Sequence, residues 1–218
     1  MTIEALIFDM DGLLLDSERI VQRSWELAGN ELGILHMGER IYHTLGMNAA
    51  SRREYFARAV CADFPHEEFG QKTREHFYRI VEREGLPLKT GAKELLCYAK
   101  GKGLKLGLAT SSRKEYARRV LEDAGVYDYF DGAVFGDMVS RGKPDPEIYQ
   151  KACAQLHVLP QNSIAFEDAP GGIRSAHAAG LRPIMIPDLV QPTEEIMVLT
   201  YRCFSTLAEV IPFLQECK

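Results

Sequence analysis

Two aspartates near the start of the sequence have the spacing needed for covalent catalysis. Asp9 and Asp11 follow the short apolar run Ala5–Phe8. A carboxyl group with an ordinary pKa of about 3.9 is ionised at neutral pH, so Asp9 could act as a nucleophile without a separate base. Asp11 lies two residues further, on the same side of an extended chain. It could protonate a leaving group and later activate a water molecule, which predicts acid–base catalysis by Asp11.

A second acidic pair, Glu167 and Asp168, follows another apolar run and could supply a cation site. The Asp9 carboxylate would repel an anionic substrate unless a cation lay between them, and Mg²⁺ prefers carboxylate and carbonyl oxygens. We therefore expect Mg²⁺ as cofactor, with Asp9 and Asp168 as carboxylate ligands and a main-chain carbonyl near Asp11. Glu167 is expected to contact the metal either directly or through a water molecule.

Hydroxyl groups and one lysine complete a set of residues suited to phosphoryl transfer. Thr110 could donate its hydroxyl to a phosphate oxygen, and the amide of Ser111 is expected at the start of a helix, where N–H groups attract anions. Lys143 offers a compact positive charge. Ser112 is expected to cap the following helix rather than to bind phosphate.

Alternating strands and helices are needed to bring these residues to one place. Short apolar runs with helical patterns between them predict a doubly wound parallel sheet, an α/β fold. Ligands of such sheets bind beyond the carboxyl ends of the strands, where the candidate residues stand. The predicted strands are Ala5–Phe8, 104–109, 133–135, 164–166 and 184–186. The predicted helices between them are 92–100, 114–123, 147–156 and 172–179.

Residues 17–86 interrupt this alternation. They contain no buried-strand run, and their pattern predicts helices over about 18–32, 50–61 and 67–84. A helical segment that follows the first strand is expected to form a cap over the carboxyl edge of the sheet. The predicted domains are therefore a catalytic core of residues 1–16 and 87–218, and a helical cap of residues 17–86.

Composition excludes several classes of protein. The 218 residues carry a formal net charge of −5, so the protein gains no general electrostatic attraction to nucleic acid or anionic membranes. Five scattered cysteines without a CxxC pair argue against a zinc site or a disulfide framework. No signal peptide or long apolar run is recognisable, so a cytoplasmic location is the default. We expect a small phosphorylated metabolite as the partner, and a monomer.

The chain contains four motifs that resemble those of the haloacid dehalogenase superfamily and follow one another in the same order along the sequence. The resemblance covers the chain from Ile3 to about Asp188, and it implies a Rossmann-like core with a helical cap. It implies Asp9 as phospho-aspartate nucleophile and Asp11 as acid and base. It also implies a Mg²⁺ site at Asp9, the Asp11 carbonyl and Asp168, and phosphate binding by Thr110, Ser111 and Lys143. The motifs are Asp9-Met10-Asp11-Gly12, Thr110, Gly142-Lys143-Pro144-Asp145-Pro146 and the segment 166–173.

The sequence also indicates a branch within that superfamily. Dehalogenases of this fold lack an acidic residue at the position of Asp11, so a phosphorylated substrate is implied. The chain looks most similar to the β-phosphoglucomutase-like branch, but true mutases usually carry a histidine where Val21 stands and an arginine where Ala49-Ala50 stand. A phosphatase acting on a small phosphomonoester, such as a sugar phosphate, is therefore favoured over a phosphohexomutase.

Two alternatives stay open at this point. The first is the phosphohexomutase, and the second is a catalytically weak protein that binds a metabolite. In the cap, Ser17, Glu18 and Asn48 are candidate substrate contacts.

Overall fold

The computed structural model describes residues 2–44 and 49–216, with only the backbone described at residues 49–51. The chain forms two compact units. One consists of Met1–Asp16 and Pro87–Lys218 and is called the sheet unit here. The other consists of Ser17–Leu86 and is called the helical unit.

The sheet unit contains a six-stranded parallel sheet with the strand order β3-β2-β1-β4-β5-β6. This arrangement confirms the predicted doubly wound α/β fold. The sixth strand has only two residues and was absent from the sequence prediction, because so short a segment carries no periodic signal. The strands are β1 Ala5–Phe8, β2 Lys105–Ala109, β3 Gly132–Val134, β4 Ser163–Glu167, β5 Arg182–Met185 and β6 Arg202–Cys203.

Strand β1 lies in the middle of the sheet, paired with β2 on one side and β4 on the other. All four of its side chains are fully buried. This burial on both faces explains why the strand is a continuous apolar run rather than an alternating one. The Phe8 ring stacks on Phe166 of β4 with 4.8 Å between the ring centroids, which ties the ends of these two strands together.

The helical unit is built around two long helices, α1 and α4, which pack against each other. Arg23 and Glu84 join them by a 2.7 Å ion pair. Residues 45–48 lie outside the described part of the chain, and the predicted substrate contact Asn48 is one of them. The helices are α1 Ser17–Glu31, α2 Ile41–Thr44, α3 Ala49–Ala59 and α4 His66–Glu84.

The remaining helices belong to the sheet unit. The helix predicted over 172–179 begins two residues earlier, at Pro170, because proline suits a first helical position where no N–H bond is needed. None of the described helices has both the length and the apolar character required to cross a bilayer. These helices are α5 Ala92–Gly101, α6 Lys114–Asp123, α7 Glu147–Leu156, α8 Pro170–Ala178, α9 Glu194–Leu199 and α10 Val210–Glu216.

Candidate active site

Asp9 and Asp11 are held by a tight turn at the end of β1. The amide of Asp9 donates to the carbonyl of Phe166 at 3.0 Å, so the pairing with β4 continues one residue beyond the strand. Gly12 then adopts a φ of +78°, which glycine reaches without steric cost, and its amide donates to the Leu15 carbonyl at 3.0 Å. The turn fixes both aspartates at the carboxyl edge of the sheet.

The residues after β2 are bonded to this turn. Thr110 is buried, and its amide donates to the Val134 carbonyl at 3.1 Å. The Thr110 hydroxyl oxygen accepts the amide of Ser112 at 3.0 Å. The Ser112 hydroxyl in turn donates to Oδ2 of Asp11 at 2.7 Å. The segment after β2 therefore orients the second aspartate of the pair.

Two predictions about this segment are wrong. Helix α6 begins at Lys114 with Arg113 as its N-cap, so Ser111 precedes the helix by three residues and its amide is not at the helix start. Ser112 does not cap the helix, since its hydroxyl bonds to Asp11 instead. Both errors have the same cause, because the chain makes an additional turn between the strand and the helix.

Lys143 enters the site as a cation whose side chain is 10% exposed. Its Nζ donates to Oδ1 of Asp9 at 2.5 Å, to the Ala109 carbonyl at 2.9 Å and to Oε1 of Glu167 at 2.6 Å. Burial by itself lowers the pKa of Lys143, but the charges of Asp9 and Glu167 outweigh it and raise the pKa above its usual value. The ammonium group is therefore charged, with all three protons directed to oxygen atoms.

The loop that carries Lys143 is closed by Glu147, the first residue of α7. The Glu147 carboxylate accepts the amides of Ser140 at 3.0 Å and Arg141 at 2.9 Å, and Lys151 Nζ donates to it at 2.6 Å. The hydrogen bond from Lys151 and the two amides lower the pKa of Glu147 to about 2. Glu147 therefore acts as an ionised clamp on Ser140 and Arg141, in the loop that precedes Lys143.

The side chain of Glu167 is tightly packed at the end of β4. It is only 1% exposed, and the Tyr149 hydroxyl donates to its Oε1 at 2.5 Å. A Cβ added at Gly172 would lie 1.9 Å from the Glu167 carboxylate carbon, so only glycine leaves room for this side chain. Burial raises the pKa of Glu167 to about 7, with Lys143 opposing the shift and the charge of Asp9 adding to it.

Three carboxylates converge in a way that suits a metal ion. Asp9, Glu167 and Asp168 each offer an oxygen, and these oxygens lie within 4.8 Å of one another. Three acids beside a single lysine leave an excess of negative charge in a largely buried space, which a hard divalent cation would offset. The carboxylate of Asp11 is not part of this group. The donor set fits Mg²⁺.

The predicted substrate contacts Ser17 and Glu18 are the first two residues of α1, in the helical unit. Ser17 is buried and Glu18 is half-buried.

Sequence reasoning missed Tyr149, and it included Gly172 in the segment 166–173 without assigning it a role. A signal for Tyr149 was present, since a tyrosine on the otherwise apolar face of α7 needs a partner for its hydroxyl group.

Comparisons with known proteins show the family to which the chain is similar. The family of haloacid dehalogenase-like hydrolases matches residues 3–180. YhcW of Bacillus subtilis is 35% identical over 195 residues, covering 88% of this chain and 86% of that protein. A phosphorylated carbohydrates phosphatase of Thermotoga maritima is 33% identical, covering 83% of each chain. The crystal structure of CbbY from Rhodobacter sphaeroides in complex with phosphate superposes with a TM-score of 0.74 at 28% identity, covering 95% of this chain and 96% of that one.

Proposed function

We propose that this chain, which belongs to the haloacid dehalogenase-like hydrolase family, is a Mg²⁺-dependent phosphatase acting on a small phosphomonoester of the sugar phosphate class. The observation that carries the proposal is the contact of Lys143 with Asp9, beside Asp11 at the centre of the sheet edge. The relative named a phosphorylated carbohydrates phosphatase supports the substrate class and favours hydrolysis over the mutase alternative.

In this proposal Asp9 is the nucleophile. Its carboxylate attacks phosphorus, and the bond to the leaving oxygen breaks as an aspartyl phosphate forms. Water then attacks this phosphorus, which releases inorganic phosphate and restores the Asp9 carboxylate. The contact with Lys143 supports this role, because the ammonium group holds Oδ1 and leaves the other carboxylate oxygen to react.

Asp11 would serve as the acid and then as the base. It gives its proton to the leaving alcohol oxygen in the first step and takes one from the attacking water in the second. The hydrogen bond from Ser112 to Oδ2 supports this role, because it holds the Asp11 carboxylate in one orientation.

Phosphate binding would involve residues from two loops. Lys143 can neutralise a phosphoryl oxygen, while the Thr110 hydroxyl and the Ser111 amide can each donate a hydrogen bond. Because Ser111 lies before helix α6 rather than at its start, its amide would act as a single donor without support from the helix dipole.

The cofactor would be Mg²⁺, held by Asp9, Asp168 and the Asp11 carbonyl, with Glu167 as a further ligand. When bound, the ion offsets the charge repulsion between the Asp9 carboxylate and the substrate phosphate. The three clustered carboxylates support this assignment.

The helical unit would act as the cap that supplies substrate specificity. Closure of such a cap over the sheet edge would exclude bulk water while the aspartyl phosphate forms. Ser17, Glu18 and Asn48 are the proposed contacts of this unit with the substrate.

Phosphate release from a panel of phosphomonoesters, measured with Mg²⁺ and with EDTA, tests the proposal. We expect release to stop in EDTA and to fall by about 10³-fold or more in Asp9→Asn. Asp123→Asn, which changes an exposed acid at the end of α6, is the matched control and is expected to behave as wild type. Conversion of a hexose 1-phosphate without phosphate release would instead identify a mutase, and folded protein inactive on every substrate would refute both assignments.

A further inference from the structure

A cavity of about 310 Å³ lies within the helical unit and contains none of the residues of the proposed active site. Its volume is at the lower end of the range found for small-molecule sites, about 300–1,000 Å³. Three helices contribute to it. The lining residues are Trp25 from α1, Arg52, Arg53 and Phe56 from α3, and His66, Phe69, Gly70, Thr73 and Arg74 from α4.

One wall of the cavity is aromatic. Trp25, Phe56 and Phe69 are all buried, and their ring centroids are 5.5 to 6.0 Å apart in edge-to-face contacts. Rings held in this way form a rigid apolar surface that suits a flat group. This wall favours a ligand with an apolar body over a bare inorganic ion.

The rest of the lining is strongly basic. Arg52, Arg53 and Arg74 all line the cavity, and no carboxylate lines it. Among the residues that the structure describes, none of these three guanidinium groups takes part in an ion pair or a hydrogen bond. Other basic residues of the same unit are paired, as the 2.7 Å contact of Arg23 with Glu84 illustrates. Guanidinium groups bind carboxylate and phosphate through two parallel hydrogen bonds, so this lining favours an anion.

Two further lining residues, Thr73 and Gly70, also favour a bound ligand in this cavity. The hydroxyl oxygen of Thr73 is buried and has no hydrogen-bond partner in the described part of the chain, and such a group is costly to leave unsatisfied. Gly70 stands in the interior of α4, where glycine weakens a helix. A Cβ built on Gly70 would lie 3.6 Å from Nη1 of Arg74, so any larger side chain would extend toward that guanidinium group. Glycine therefore keeps the space beside Arg74 open.

We propose that this cavity binds a small organic anion in which a carboxylate or phosphate group is carried on a flat apolar body. The anionic group bonds to the arginines, and the body packs on the wall formed by Trp25, Phe56 and Phe69. The ligand is a free metabolite. The binding proposal does not depend on the phosphatase assignment.

Intrinsic fluorescence is a direct probe, because Trp25 is the only tryptophan of the chain and lines the cavity. Benzoate and phenylphosphonate are titrated into full-length Asp9→Asn protein, with benzyl alcohol as the uncharged control. We expect saturable fluorescence changes with both anions and none with benzyl alcohol. Absence of saturable binding by either anion would overturn the proposal.

Variants locate the site. Arg52→Gln and Arg74→Gln are each expected to weaken benzoate binding about tenfold, the factor that corresponds to loss of one charge-assisted hydrogen bond. Gly70→Leu is expected to abolish binding by filling the space while leaving the melting temperature equal or higher, because leucine is the better helix former. Arg79→Gln, an exposed change on the same helix, should bind as the parent does. Equal binding by all four variants would refute the assignment to this cavity.

Discussion

The Ser112 hydroxyl donates a 2.7 Å hydrogen bond to Oδ2 of Asp11, across 101 positions of the sequence. It connects the segment after β2 to the turn after β1, so the proposed acid–base residue is oriented by the neighbouring strand. A flexible aspartate would sample positions from which proton transfer is impossible. The contact therefore holds the Asp11 carboxylate in one orientation.

Ser112→Ala removes this hydrogen bond. We expect kcat to fall roughly tenfold with little change in KM, because the bond orients Asp11 and does not contact the substrate. Steady-state phosphate release measures both constants. Ser205→Ala, at an exposed position of the sheet unit, is the control. A rise in KM at constant kcat would show that Ser112 contacts the substrate instead.

Tyr149→Phe removes the hydrogen bond to Glu167 and keeps the ring that packs in the core. Partners that orient metal-binding carboxylates typically contribute 10–100-fold to metal affinity. We expect the Mg²⁺ concentration for half-maximal activity to rise about tenfold, with most of the activity recovered at saturating Mg²⁺. Tyr98→Phe on α5 is the matched control. An unchanged Mg²⁺ dependence would contradict the metal assignment of Glu167.

Gly172→Ala places a methyl group where the Glu167 carboxylate lies, 1.9 Å away. Glu167 must move, so we expect phosphate release to fall by about 100-fold or more, accompanied by a lower melting temperature. Gly171→Ala is an unusually close control, since its added methyl group meets nothing within 4 Å. Similar activity in the two variants would mean that the position of the Glu167 carboxylate is not important for catalysis.

The contribution of Glu147 to stability can be tested by unfolding the protein at different pH values. Its pKa is about 2 in the folded protein and 4.5 as an unperturbed group, so its contribution to stability is fully present above pH 4.5. The contribution is lost as the pH falls from 4.5 toward 2. Urea unfolding should therefore give a lower free energy of unfolding for Glu147→Gln than for wild type at neutral pH. The difference between the two free energies should become smaller in acid. Glu94→Gln, an exposed change on α5, should show no such narrowing.

Asp9, Asp11, Glu167 and Asp168 could be placed at one sheet edge from sequence, because each follows an apolar run and parallel strands end together. The contacts that orient these side chains could not be predicted from the sequence. The contacts of Ser112 with Asp11 and of Tyr149 with Glu167 depend on strand order and helix rotation, which no local pattern encodes. Ser111 shows the limit on a smaller scale, since one additional turn separated its amide from the helix start.

The central place of β1 has a consequence for how the protein folds. Ala5 pairs with Lys105 on one side and Ser163 on the other. Both neighbours of the first strand are therefore far from it in the sequence and are synthesised much later. Such non-local pairing slows folding. The helical unit lengthens the connection between β1 and β2, but closure entropy grows only with the logarithm of loop length. Helices can therefore be gained, lost or exchanged at this point at little energetic cost to the sheet.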